Sequence, residues 1–163
     1  SLHVDRSELI VASQENGGLF KLHHRADEVA KMMVNVSGKF GFQSVPRSEA
    51  TYIIQLKSAF PDGGACEGGS AGVSGGASYT TLGIFPALGV HCYVVELELY
   101  ERIGGELLLV GEFLSIEGRV DVYAGANEVD DYQLTVSKRD EALGLETSMA
   151  AVINHMIGEG AFE

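Results

Sequence analysis

The sequence has no tryptophan, three prolines and two cysteines, and only 11 lysines and arginines stand against 23 aspartates and glutamates. The shortage of basic residues leaves a formal net charge of −12. That removes the phosphate-neutralising contacts behind most non-specific nucleic-acid affinity, so a nucleic-acid partner is not expected. No cluster of Lys and Arg occurs anywhere, which equally excludes docking on anionic lipid through a basic patch. The two cysteines, Cys66 and Cys92, form neither a CxxC pair nor a zinc-binding spacing. They are left as a disulfide or as two inert thiols. A bridge would close a loop of about 27 residues and stabilise by about 3.5 kcal/mol in the chain-entropy model. The opening residues SLHVDRSELIV lack a methionine and any apolar run of signal-peptide length, which reads as a chain whose start has been removed.

What the sequence has in quantity is glycine, 21 residues of 163. Many fall in GGACEGGSAGVSGGASYTTLGIFPALGVHC, from Gly63 to Cys92. Gly64, Gly68, Gly72 and Gly76 lie four residues apart, the spacing that lets helices approach closely in a bilayer. No charge occurs from Gly68 to Val95, but Pro86 and the Ser/Ala/Gly composition argue against a free-standing membrane helix. The segment is expected to be a flexible glycine-rich crossover at about 63–90. Leu82, Ile84, Phe85 and Pro86 form its apolar end and a candidate interaction patch.

Periodicity places the ordered elements. Glu8–Ser13 reads as a short buried strand. Leu22, Ala26, Val29, Ala30, Met33 and Val36 recur at helical spacing, with Gly38 as the stop. Phe42–Val45 is brief and ends at Pro46, and Tyr52, Ile54 and Leu56 alternate as a strand. Tyr93, Val95, Leu97 and Leu99 share one strand face while Glu96 and Glu98 share the other, so one side is wet. Ile103-Gly104-Gly105 turns the chain into a second strand, Glu106–Ile116. Val120 and Val122, then Tyr132, Leu134 and Val136, suggest further short strands. Ser137 and Asp140 resemble a capping pair for a last helix with a Leu145, Met149, Val152, Ile153 and Met156 stripe that ends at Gly158. The expectation is a single α+β domain over 1–163: a mostly antiparallel sheet with two helices packed on one face, ordered β-α-β-β then β-β-α.

The stretch FGFQSVPRSEATYIIQLK after the first helix resembles a pattern found in bacterial envelope lipoproteins, carried by Gly41, Phe42, Val45, Ala50, Tyr52, Ile54 and Leu56. The families concerned span the TolB amino-terminal-like fold and the TraT-type surface-exclusion lipoproteins, and about a third of the chain takes part. The resemblance implies a non-enzymatic protein of the periplasm or outer membrane that serves as an assembly, exclusion or transport accessory. It would act with an envelope protein partner or by self-association. The lipobox cysteine of such lipoproteins is absent here, so a membrane tether would lie outside this sequence. An oxidising compartment also favours the Cys66–Cys92 bridge.

The remaining candidates for chemistry are weak. Gly72-x-Ser74-x-Gly76 matches the nucleophile elbow, with Asp121 or Asp131 and His155 following in hydrolase order, yet Gly68-x-Ser70-x-Gly72 matches too. No strand-to-helix turn surrounds either serine, so Ser74 is the least favoured reading. Phosphate cradling fails for want of a Lys and of the GxGxxG spacing. Adjacent His23 and His24 point about 100° apart in a helix and suit no shared metal. His24 with Glu28, and Glu96 with Glu98, read as solvated faces. No cofactor, metal or catalytic residue is expected, and a small-ligand binding module using the sheet face and the loop around Phe85 is the alternative function.

Overall fold

In a computed structural model that describes residues 1–11, 22–62, 87–124 and 137–163, the alternation of Tyr93, Val95, Leu97 and Leu99 turns all four inward, while Glu96 faces water. They belong to a sheet of four strands in sequence order: β1 (Leu2–Asp5), β2 (Tyr52–Asp62), β3 (Ala87–Ile103) and β4 (Glu106–Ala124). Helix α1 (Ala26–Lys39) connects β1 to β2, and helix α2 (Lys138–Gly158) follows β4. The fold is α+β. β1 pairs parallel to β2, and the β2–β3 and β3–β4 pairs are antiparallel. Both helices bury their stripes against the same face. Val29, Met33 and Val36 of α1 and Leu145, Met149, Val152, Ile153 and Met156 of α2 close on Ile54, Leu56, Ala59, Tyr93, Val95, Leu97 and Leu99.

The last helix forms as its sequence predicts. The Ser137 side chain accepts the Asp140 N–H at 3.1 Å, and every residue of the expected stripe is buried. The hairpin also holds. Ile103 pairs with Glu106 across Gly104 and Gly105, whose φ of 61° and 89° suits a turn with the twist of the strands.

Four expectations are corrected. The first strand is Leu2–Asp5, not Glu8–Ser13. Asp5 Oδ1 accepts the Ser7 N–H and Leu9 bonds back to Arg6, so the chain turns there, and only Ile10 rejoins the sheet, in a single bridge to Ser58. Residues 12 and 13 lie outside the described part. Helix α1 starts at Ala26 rather than Leu22, because the His23 and His24 N–H groups are taken by a carboxylate of α2 and Glu28 reaches back to the Arg25 N–H. It also runs through Gly38 to Lys39. Gly41, at φ 90°, is the terminating residue: its N–H bonds Gly38 O and the Phe42 N–H bonds Ser37 O, the double closure of a left-handed cap. Finally, Glu106–Ile116 and Val120–Val122 form one long strand, and β3 begins at Ala87, inside the range assigned to the crossover. β2 and β3 are adjacent and antiparallel, so 63–86 joins neighbouring strand ends. The tentative strand at Tyr132–Val136 lies outside the described residues.

Along the other edge, Ser44 bridges Leu2, and Leu2 N–H···O Gln43 and Val45 N–H···O Leu2 bonds cover the outside of β1. The brief extended piece at Phe42–Val45 is therefore a seal on a short edge strand.

Gly38 and Gly41 have open space where a Cβ would stand. Backbone conformation alone then decides their substitutions. Gly38→Ala should raise stability by about 0.5–1 kcal/mol, as in a helix interior. Gly41→Ala should lower it by about 1–2 kcal/mol through the left-handed penalty. Urea unfolding of the two variants checks this, and the opposite signs would restore Gly38 as the stop.

Candidate functional site

The sheet is covered by helices on one face; on its second face no helix lies among the described residues, and the side chains there are unlike the core. On β3 this second face presents Cys92, Val94, Glu96, Glu98 and Tyr100, and on β2 Phe60, Ser58, Gln55 and Ile53, the partners of the last four. On β4 it presents Ile116, Leu114, Glu112 and Leu109, opposite Val94, Glu96, Glu98 and Tyr100. Leu109, Leu114 and Ile116 are 52%, 50% and 41% exposed. An acidic row on β3 thus lies beside an aliphatic row on β4, interrupted by Glu112. Between them runs a groove of about 420 Å³, lined by Lys57, Glu96, Glu98, Glu112 and Leu114 over the backbone of Leu97 and Phe113.

The polar groups of this groove are held in place. Ser58 Oγ donates to Glu96 Oε2 at 2.7 Å and Tyr100 Oη donates to Glu98 Oε2 at 2.7 Å. Lys57 Nζ lies 3.2 Å from Glu98 and also bonds Glu8. The Tyr100 hydroxyl, and after it the Lys57 ammonium, hold the Glu98 carboxyl below the usual carboxylate range, while the same bond pushes the Tyr100 phenol up. The Glu8 carboxylate in turn pushes the Lys57 ammonium up. Glu98 and Lys57 therefore keep their opposite charges from weakly acidic to alkaline solution. Gln55, 7% exposed and directly across from Glu98, has an Nε2 with no hydrogen-bond partner.

A second polar cluster sits on the helix side. Glu141, 2% exposed in the first turn of α2, accepts the His23 N–H at 3.0 Å, the His24 N–H at 3.0 Å and the His24 ring at Nδ1 at 2.5 Å. Tyr93 lies close by, and burial, with Glu141 and Asp140 behind it, pushes its phenol far above the ordinary tyrosine range. His24 and Glu141 resemble the base and orienting acid of a catalytic dyad. The bonds to the Glu141 carboxylate tie the segment before α1 to α2, so the cluster clamps the two together.

Of the described residues singled out from sequence, Glu96 and Glu98 share the groove, and the histidines do not join them. Glu28 pairs with Lys138 at 3.0 Å, not with His24. His155 is exposed and lies 3.5 Å from Glu159 on its own helix, beside the Phe113 ring. Among the described residues no group of three or more His, Cys, Asp or Glu side chains is arranged to hold a metal. Among them, too, no helix is long and apolar enough to cross a membrane. Ser70, Ser74, Asp131, Cys66 and the Leu82, Ile84, Phe85 and Pro86 patch lie outside the described residues, as does the side chain of Asp121. Cys92 is buried on the helix-free face, opposite Asp62.

Sequence reasoning found Glu96 and Glu98 but missed the aliphatic row beside them. Their partners on β4 follow from register alone. The Glu141 clamp was also missed, since its partners lie 117 and 118 residues away. No family model matches the chain, and no curated protein matches it.

Proposed function

We propose that the protein is a non-enzymatic binding module that receives a partner protein on the helix-free face of its sheet, as an assembly, exclusion or transport accessory of the cell envelope. The observation that carries the reading is the exposed aliphatic row Leu109, Leu114 and Ile116 beside a fixed row of carboxylates. An aliphatic strip on a rigid sheet, rimmed by polar groups, is how docking surfaces are built. The groove volume also falls in the range of small-ligand sites, which supports a small-molecule binder as the second reading. The envelope setting draws its support from the lipoprotein-like residues between Gly41 and Leu56.

The Cys66–Cys92 pairing belongs to the same proposal. Cys92 stands opposite Asp62, and Cys66 follows Asp62 by four residues. Four residues reach at most about 14 Å, a span that allows the bridge. Thiol titration of the unfolded, unreduced protein should find no free cysteine, and two reactive thiols would remove both the bridge and the argument for an oxidising compartment.

Docking is tested by placing a photo-crosslinking amino acid at Leu114, or at exposed Lys31 on α1 as control, in the protein's native cells. A discrete adduct from position 114 and none from position 31 is expected. Equal labelling from both positions, or none from 114, would contradict the proposal.

A further inference from the structure

The groove is unbalanced in charge. Lys57 is its one basic side chain, already shared by Glu8 and Glu98, while among the described residues Glu96 and Glu112 have no basic partner. The three groove carboxylates against one ammonium leave a net −2, and Glu8 beside Lys57 makes it −3. Like charges held on neighbouring strands repel, and an incoming cation relieves that repulsion. The net charge of −12 adds a long-range attraction for the same kind of partner.

The register then narrows the shape of the occupant. Glu96 pairs with Leu114, Val94 with Ile116 and Glu98 with Glu112. Carboxylate and aliphatic rows therefore stand side by side, about 5 Å apart on neighbouring strands. Along β3, Glu96 and Glu98 are about 6.8 Å apart. A small organic dication would meet the carboxylates and leave the aliphatic row uncovered.

We infer that the occupant of this face is a basic amphipathic segment of a partner protein, with Lys or Arg side chains on Glu96, Glu98 and Glu112 and aliphatic side chains on Leu109, Leu114 and Ile116. This rests on the docking reading above and adds the chemistry of the partner. Two other occupants fit less well. A second copy brings another −12 and the same acidic row, so face-to-face pairing sets like charges against each other. Residues 63–86 of this chain contain no Lys or Arg to meet the glutamates.

The test uses a 16-residue synthetic peptide alternating Lys and Leu, with Gln–Leu and Glu–Leu counterparts, followed by amide shift mapping and titration calorimetry on the whole chain. The Lys–Leu peptide should shift amides of residues 94–100 and 109–116. Its affinity should fall at least tenfold in the triple variant Glu96→Gln, Glu98→Gln, Glu112→Gln, and also in Leu114→Ser. Glu146→Gln, on α2, should change it less than twofold. The inference fails if the triple variant binds the peptide as tightly as the parent or if the shifts map to the helices. Equal binding of the Gln–Leu peptide at the same amides would refute the cationic partner yet leave the docking face standing. No shift at this face with any of the three peptides would sink both. Self-association that disappears in Leu114→Ser would make a second copy the occupant and overturn the inference.

Discussion

Beside its buried stripe, helix α2 meets the sheet at one point through backbone alone. A Cβ on Gly144 would stand 2.4 Å from Tyr93 Cδ2, and one on Gly118 would stand 1.9 Å from the Gly144 carbonyl oxygen. Nothing larger than hydrogen fits at either position, so the Tyr93 ring lies directly against the helix. Ser148, one turn further on, donates to Tyr93 O at 2.8 Å and secures the same seat. The Glu141 clamp then fixes where the chain before α1 meets the first turn of α2. Breaking such a buried pair by removing one member costs about 3–5 kcal/mol, so the clamp sets geometry more than it adds net stability.

With both helices drawn to one side, the two faces of the sheet divide the work. The covered face carries long aliphatic and methionine side chains, whose burial contributes about 1.5–3 kcal/mol each. The other face carries buried Ile53 and Val94 beside hydrogen-bonded carboxylates and exposed leucine and isoleucine. Its exposed part adds little to folding, and that part is the surface a partner would recognise.

How much of this was legible in the sequence follows from the range of each interaction. Ser137 with Asp140, the Leu145–Met156 stripe and the Gly104-Gly105 hairpin depend on neighbours within a few residues, and all three were readable. Glu96 and Glu98 showed their wet face by plain alternation. β1 was misplaced because the more apolar Glu8–Ser13 run lost to Leu2–Asp5, whose strand exists through pairing with Tyr52–Gln55. On β4 the register shift between Leu99 and Tyr100 puts Leu109 on the face of Leu114 and Ile116, out of phase with plain alternation, so the three were not read as one row. The Gly38 reading failed locally, since the same helix end offers two glycines and only Gly41 takes the left-handed conformation.

The division of labour between the faces is the central claim, and one pair of substitutions measures it. Guanidinium unfolding of Leu99→Ala, from the covered face, and of Leu114→Ala, from the open face, compares equal chemical deletions on adjacent strands. Leu99→Ala should cost about 2–5 kcal/mol, and Leu114→Ala should stay within about 0.5 kcal/mol of the parent. A loss at Leu114 as large as that at Leu99 would mean that the open face is a second core, and would contradict the account.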